Sequence, residues 1–479
     1  MCGFVGMIAH EPVAGQLLLA LQAIQHRGQD AAGVATREGG RFNMVKDLGL
    51  IAQAVPTGAL RHLGGRSGIA HVRYPTAGEI STREDAQPFM TRFPGIILAH
   101  NGNVTNVPEL IEDLRSEGHH VLSRCDAEPL LLVLAQELIR RRPSRHTTKD
   151  LVEAVAAVFR RVRGAYSVVA ILEIDGQETL VAFRDPHGVR PGVYGHDGQG
   201  AWMAASESVA LDVAGFTRMG DLPPGEVLLL RRGEEPVRLA VQRPTPRPCV
   251  FERIYFARPD SVMEDGRVNR TRWRLGRQLA VEWARKGLSA DIIVPIPDTS
   301  RPAAWAMAEA LKIKHREGFI KNRYTGRTFI MPDQKARQAT LRLKLNPIRE
   351  FFEGQRVILV DDSIVRGTTM RRIVSMVREL NPLALHVAII SPAVRHPCFY
   401  GIDMPSQEEL AAAAYPLEKV EEAMARRLGA DSVTYLSDES LRAVAGEGIC
   451  AACFDGDYVV PVSEAEREAI RWERRGRGR

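Results

Sequence analysis

Three groups of residues in this chain have the types and spacing to do chemistry. The first is the start, Met1-Cys2-Gly3-Phe4-Val5-Gly6. Removal of the initiator methionine would leave Cys2 with a thiol and a free α-amine on one carbon. An α-amine titrates near ~7.7–8.0, so a fraction is neutral near neutral pH and can take the thiol proton directly or through one water. Nucleophile and base then come from one residue, without a histidine. The second group is residues 357–369, Val-Ile-Leu-Val-Asp-Asp-Ser-Ile-Val-Arg-Gly-Thr-Thr. Four apolar residues read as a buried strand of a parallel sheet, and Asp361 and Asp362 stand where it ends. A Gly/Thr loop at a helix N-terminus offers backbone N–H groups to a phosphate, and the paired acids suit ribose hydroxyls or a hydrated Mg2+. The third is Lys321-Asn322-Arg323-Tyr324-Thr325-Gly326-Arg327, a basic loop that could close over a pyrophosphate and exclude water.

Elements must hold these groups in place. From residue 292 on, strand-like runs (292–296, 319–320, 357–360, 385–390) alternate with helix-like runs (303–311, 370–380). This predicts a parallel sheet wrapped by helices, with ligands at the carboxyl ends of its strands. Pro297-Asp298-Thr299-Ser300 follows the first strand and aims at the same crevice, although Thr299 or Ser300 also reads as a plain helix N-cap. In the first half, Gln25-His26-Arg27-Gly28 follows an amphipathic run (17–24), and His71-Val72-Arg73-Tyr74-Pro75-Thr76 follows a short strand. His100-Asn101-Gly102-Asn103 follows a strand at 95–98, and Cys125-Asp126-Ala127-Glu128 opens a helix at 129–139. Taken alone, Asn101-Gly102 reads as a hairpin turn, and His26, His71 and His100 read as packed or capping histidines. Residues 223–247 read as two edge strands running into the proline- and arginine-rich stretch 243–248, a linker composition that places a domain boundary near 240–250.

Residues 2–240 resemble the N-terminal-nucleophile class of glutamine amidotransferase domains, through these motifs and through Arg184-Asp185-Pro186-His187-Gly188-Val189-Arg190-Pro191 and Ala205-Ser206-Glu207-Ser208. The resemblance implies an αββα sandwich with Cys2 as nucleophile. Arg73 suits the carboxylate of glutamine through a bidentate fork, with Thr76 as an added hydroxyl, and Asp126 suits its ammonium. Asn101 and Gly102 are the candidate oxyanion donors, and Arg27 with Gly28 is assigned to the Cys2 end of the glutamine site. Pro75, Cys125 and Pro129 depart from the pattern. Residues 357–369 resemble the phosphoribosyl-pyrophosphate (PRPP) signature of type I phosphoribosyltransferases. This implies ribose contacts from Asp361 and Asp362, and a 5′-phosphate site at Ser363, Arg366, Gly367, Thr368 and Thr369. It also implies Mg2+ near Thr299, Asp361 and Asp362, and pyrophosphate contacts from Lys321 and Arg323. The spacing of Cys249, Cys398, Cys450 and Cys453 is no metal motif by itself. Their contexts resemble a branch of the PRPP amidotransferases that carries one four-iron, four-sulfur (4Fe-4S) cluster. Four thiolates suit such a cluster or a structural zinc, and the cluster is the expectation.

Over nearly the whole chain, the order of the two halves resembles the glutamine PRPP amidotransferases. The expected organisation is α+β then α/β: a glutaminase domain at 2–242, a phosphoribosyltransferase domain at 249–465 and a basic tail at 466–479. The expected reaction moves ammonia from glutamine to PRPP at the entry to purine synthesis. Feedback by purine nucleotides and assembly into a homodimer or homotetramer are implied too. The alternatives are another amidotransferase with a different acceptor, against which the Asp361–Asp362 signature argues, and a PRPP-binding regulator, which would lack the Cys2 half. The 479 residues carry a net charge of +6, but five arginines against one glutamate lie in the last nine residues. The basic balance is local and does not argue for nucleic acid; a frayed, solvated end is expected there. No run of about 18 apolar residues predicts a membrane span, the start has no signal-peptide pattern, and six cysteines make no disulfide framework, so the cytosol is expected.

Overall fold

The computed structural model describes residues 2–74, 82–322 and 345–475. The first half is two stacked antiparallel sheets. One runs in the order Thr217–Asp221, Val193–His196, Trp202–Ala205, Gly3–Ile8, Ser67–Arg73, Ala31–Glu38, Arg41–Leu48. The other runs Val237–Ala240, Glu226–Leu230, Gln177–Arg184, Gly164–Ile174, Ile96–Val104, Phe89–Thr91. Apolar side chains such as Phe4, Ile69, Ile97, Val169 and Leu180 fill the space between the sheets. Their alternation leaves the other face of each sheet for helices. Helix Ala14–Ala23 packs on the first sheet, and helices Ala127–Arg141 and Thr148–Arg161 on the second. The expected αββα sandwich is the observed one.

In the second half, five parallel strands run in the order Lys314–His315, Ile292–Pro295, Arg356–Asp361, Ala384–Ile389, Ser432–Tyr435. Both faces are covered, which is why residues 357–360 read as a continuous apolar run. Ile358 and Val360 face helices Val268–Ala284 and Arg301–Leu311, while Val357 and Leu359 face helix Thr368–Arg378. The strand expected at 319–320 is not in this sheet. Phe319–Lys321 pairs with Leu345–Pro347 in a separate two-stranded hairpin.

Three expectations are corrected. Of the two strands after residue 223, only Val237–Ala240 is an edge; Glu226–Leu230 is flanked on both sides and largely buried. The proline- and arginine-rich stretch is tied down, with Thr245, Arg247 and Cys249 N–H groups donating to the carbonyls of Pro186, His187 and Val189. The basic tail expected at 466–479 opens inside a helix: Glu464–Arg475 docks through buried Glu466 and Ile470, and Glu466 accepts from Thr105 and Arg163. Among the described residues no helix is long and apolar enough to cross a membrane.

Candidate active sites

Strand Gly3–Ile8 pairs antiparallel with Ser67–Arg73, Gly3 opposite Val72, so Cys2 and Arg73 share one end of the sheet. The facing sheet brings Asn101 and Gly102 to the same point. Cys2 is buried, its nitrogen 3.3 Å from Asn101 Oδ1 and its sulfur 3.7 Å from the Tyr74 carbonyl. Asn101 is fully buried and its Nδ2 has no hydrogen-bond partner among the described residues. A buried donor left empty is costly, by about 1–3 kcal/mol. Asn101 and Gly102 are not a turn but the middle of strand Ile96–Val104. Gly102 is required by close approach: a Cβ there would lie 2.0 Å from the Ala165 carbonyl oxygen of the neighbouring strand.

Cys2, Arg73, Gly102 and Asp126 line one pocket, with Tyr74, Gln87, His100, Arg124 and Cys125. Asp126 precedes helix Ala127–Arg141, and Pro129 falls in its first turn, where a missing N–H costs nothing. Burial alone would raise the Asp126 carboxyl, but His100 at 3.2 Å, the Val104 N–H at 2.9 Å and Arg73 hold it below its ordinary range. His100 is lifted in return: burial works against its charge and Asp126 outweighs it. His71 behaves as a packed histidine, lowered by burial and bonded at 3.2 Å to the His100 carbonyl. Burial pushes the Cys125 thiol up to about 12, so it forms a neutral wall. Sequence reasoning missed the partnership of His100 with Asp126; no spacing rule marks it.

Arg27 lies at the Cys2 end, where the sequence places it. It is fully buried, its Nε 2.9 Å from the Cys2 carbonyl, its Nη1 2.5 Å from Glu207, its Nη2 2.8 Å from Glu252. Its guanidinium is committed to these partners next to the nucleophile. Removing one member of such a buried ionic set costs about 3–5 kcal/mol. Thr76 lies outside the described residues.

The second site sits at the carboxyl ends of strands Ile292–Pro295 and Arg356–Asp361, neighbours in the sheet. Thr299 Oγ1 donates to Asp362, which also accepts from Ser363 Oγ at 2.6 Å. Burial, then the neighbouring Asp362, push the Asp361 carboxyl well above the usual carboxylate range; burial raises Asp362 too, against the Ser363 and Thr299 hydroxyls and Arg272. Two crowded carboxyls with a hydroxyl suit a Mg2+ that takes its other ligands from substrate and water. Helix Thr368–Arg378 starts directly after Gly367, with Thr368 and Thr369 exposed in its first turn. Arg366 is exposed and pairs with Glu409 at 3.2 Å, and Lys321 with Asp298 at 2.6 Å. Arg323 and the rest of the basic loop lie outside the described residues.

The four remaining cysteines are buried within one apolar cluster that also takes in Ala165 and Val189 of the first half. Main-chain bonds knit them: Val250 N–H to the Cys450 carbonyl, Cys450 N–H to Pro248, and Arg395 and His396 N–H to Cys453. The Tyr400 N–H lies 3.4 Å from Cys398 Sγ. Burial pushes the Cys450 and Cys453 thiols up, and Cys249 and Cys398 push them further. Fully buried Arg190 stands by them: burial works against its charge, and Cys249, Glu252, Cys398 and Cys450 outweigh it. The donor set is all sulfur, with a cation beside it, which fits a thiolate-held iron–sulfur cluster. Among the described residues, no three His, Cys, Asp or Glu side chains are grouped to hold a metal ion.

Fold and sites together define a glutamine amidotransferase domain joined to a phosphoribosyltransferase domain. The corresponding family models match residues 71–213 and 269–397. The chain is 45% identical to an amidophosphoribosyltransferase of Pseudomonas aeruginosa, over 97% of this chain and 94% of that protein. It is 42% identical to the amidophosphoribosyltransferase of Escherichia coli, over 91% and 86%. The solved glutamine PRPP amidotransferase of B. subtilis, complexed with ADP and GMP, is similar with a TM-score of 0.85 and 36% identity, covering 97% of this chain and 98% of that one. The chain belongs to the amidophosphoribosyltransferase family.

Proposed function

We infer that this chain releases ammonia from glutamine and transfers it to PRPP, forming 5-phosphoribosylamine, glutamate and pyrophosphate, the first committed step of purine synthesis. The observation that carries the glutaminase half is Asn101. Its oxygen holds the Cys2 nitrogen while its Nδ2 is buried without a partner among the described residues. A donor waiting in a dry site is what a charge present only during reaction needs.

With Met1 removed, Cys2 Sγ attacks the side-chain amide carbon and the α-amine takes the thiol proton. Asn101 Nδ2 and the Gly102 N–H receive the developing oxyanion. Collapse breaks the C–N bond, the α-amine protonates the leaving nitrogen, and ammonia departs from a thioester. Water then attacks that thioester, giving glutamate and the free thiol. Arg73 holds the substrate carboxylate. Asp126 holds its ammonium, in competition with His100.

Asp361 and Asp362 take the ribose hydroxyls, and the residues from Ser363 to Thr369 take the 5′-phosphate at a helix N-terminus. Lys321 leaves Asp298 to meet the pyrophosphate. Thr299, Asp361 and Asp362 would hold a Mg2+, which would supply charge neutralisation for the departing pyrophosphate. Ammonia displaces pyrophosphate at C1 of the ribose. The thiolates of Cys249, Cys398, Cys450 and Cys453 would hold a 4Fe-4S cluster, whose contribution is structural cross-linking away from the chemistry. Family membership further supports action in the cytosol, assembly as a homodimer or homotetramer and inhibition by purine nucleotides. The B. subtilis relative bound to ADP and GMP is the precedent for such inhibition.

The deciding experiment is Cys2→Ala. Glutamine-dependent product formation should vanish while ammonia-dependent formation at raised pH persists. Retained glutamine use would remove the nucleophile assignment.

A further inference from the structure

The buried charges beneath Cys2 do not all come from the glutaminase domain. Glu252 lies beyond the domain boundary, three residues after Cys249, in the helical turn Glu252–Phe256. Its carboxylate is 2.8 and 3.2 Å from Arg27 and 3.2 Å from Arg190. Phe256 of the same turn lies under the Arg27 guanidinium, 4.8 Å from centroid to Cζ. Glu207 completes the set: it accepts from His26 at 2.8 Å, from the Arg258 N–H at 3.0 Å and from Ser261 Oγ at 2.7 Å, and the last two donors lie beyond the boundary as well. Two guanidiniums and two carboxylates thus meet in a buried space, and Arg27 Nε on the Cys2 carbonyl links them to the nucleophile.

A second grip reaches the oxyanion strand. The Asn103 side chain donates to the Phe399 carbonyl at 3.0 Å, and Gly401 packs against Gly102 so closely that a Cβ on Gly401 would lie 2.9 Å from the Gly102 carbonyl oxygen. Gly401 has φ +108°, a conformation that favours glycine. Phe399 and Gly401 follow Cys398 directly.

We propose that Glu252 and Gly401, both outside the glutaminase domain, are positioning residues for glutamine hydrolysis. Glu252 holds Arg27 and through it the Cys2 backbone; Gly401 sets how far the Gly102 peptide can move. The nucleophile and the oxyanion donors are thus each held from the second domain. Glutamine chemistry then depends on the seating of the two domains, which ammonia-dependent chemistry at the PRPP site does not need. A buried ionic set has few alternative arrangements, because each charge left unpaired in low dielectric is expensive. This rests on the reading of Cys2 as the nucleophile.

The test is Glu252→Gln, which keeps shape and one acceptor but removes the charge, assayed in the full chain. Glutamine kcat should fall about tenfold or more, with KM for glutamine and ammonia-dependent kcat unchanged, while the melting temperature drops because a buried guanidinium loses its charged partner. Alkylation of Cys2 by iodoacetamide, a readout a purely structural role would not move in a folded variant, should slow in parallel. Glutamine kcat within twofold of the parent would overturn the proposal. If Glu252→Gln loses both activities by misfolding, Gly401→Ala decides: a fall in glutamine kcat of about fivefold with ammonia use intact supports it, and unchanged glutamine kcat overturns it. Cys2→Ala separates the two levels, since glutamine use that survives that change defeats the nucleophile reading itself.

Discussion

The two reaction centres are built on opposite principles. Around Cys2 nearly every functional group is buried and already engaged: Asn101 with the Cys2 nitrogen, Asp126 with His100, Arg27 with two carboxylates and a carbonyl. Around Asp361 the groups are at strand ends and a helix start, and Arg366, Thr368, Thr369 and Lys321 are exposed. The cations there pair with local acids, Arg366 with Glu409 and Lys321 with Asp298. The difference follows from the chemistry. An oxyanion lives only in the transition state, so its donors must be fixed in advance. A multiply charged sugar phosphate is a ground-state ligand that can displace weak surface pairs as it arrives.

The comparison breaks most visibly at the rigid site. Asn101→Ala should lower glutamine kcat by about 10²–10³, the effect of one lost oxyanion donor, with KM for glutamine and ammonia-dependent activity little changed. Steady-state kinetics with both nitrogen sources checks this. A variant that raised KM and kept kcat would mean that Asn101 binds ground-state glutamine instead.

At the open site the expected effect is smaller and mixed. Asp361→Asn should raise KM for PRPP about ten- to a hundredfold if the proposed ribose and metal contact is lost, yet it should stabilise the fold at neutral pH. The sign follows from the direction of the shift. Burial and then Asp362 raise the Asp361 carboxyl, so the folded state holds its proton more tightly than the unfolded state. That contribution is full below the unfolded value, near ~3.9, and is lost as pH rises through the folded value. At pH 7 the parent therefore folds at a penalty that the amide does not carry. Calorimetry should show the melting temperature of Asp361→Asn above that of the parent at pH 7 without ligand, with the gap closing towards pH 4. An equal or lower melting temperature at pH 7 would mean that the charge is already compensated.

This asymmetry also explains which parts were legible in the sequence. The second centre is compact in the chain: strand, acids, loop and helix fall within residues 357–378, so local pattern sufficed for its layout. The first centre is assembled over long separations. Arg27 meets Glu207 and Glu252 across 180 and 225 residues, and no local rule reveals that its guanidinium is already taken. Residues 100–103 looked like the end of a strand because the apolar run stops at Ala99. The strand goes on to Val104, because residues 100–104 pair with residues 164–168 of the neighbouring strand, and the Asn103 side chain is bonded to Phe399 of the second domain. The terminal helix Glu464–Arg475 was read as a charged end; its hold on Thr105 and Arg163 is visible only in three dimensions.

The smallest effect probes whether the open site's surface pairs hold it back. Glu409 accepts from Arg366 at 3.2 Å with both side chains about half exposed, so the pair itself is worth roughly 0.2–1 kcal/mol. If Arg366 must turn from Glu409 to the 5′-phosphate, PRPP binding pays that amount, and Glu409→Ala should remove the charge. KM for PRPP should then fall by about two- to threefold at low salt. The advantage should shrink at high ionic strength, because screening already weakens the pair in the parent. Fold stability should move by no more than about 0.5 kcal/mol, as is usual for an exposed substitution. No counterpart exists at the glutaminase centre, where neutralising Glu252 is expected to slow the reaction. A Glu409→Ala variant with weaker PRPP binding would reverse the contrast, placing Glu409 among the groups that hold the loop ready for its ligand.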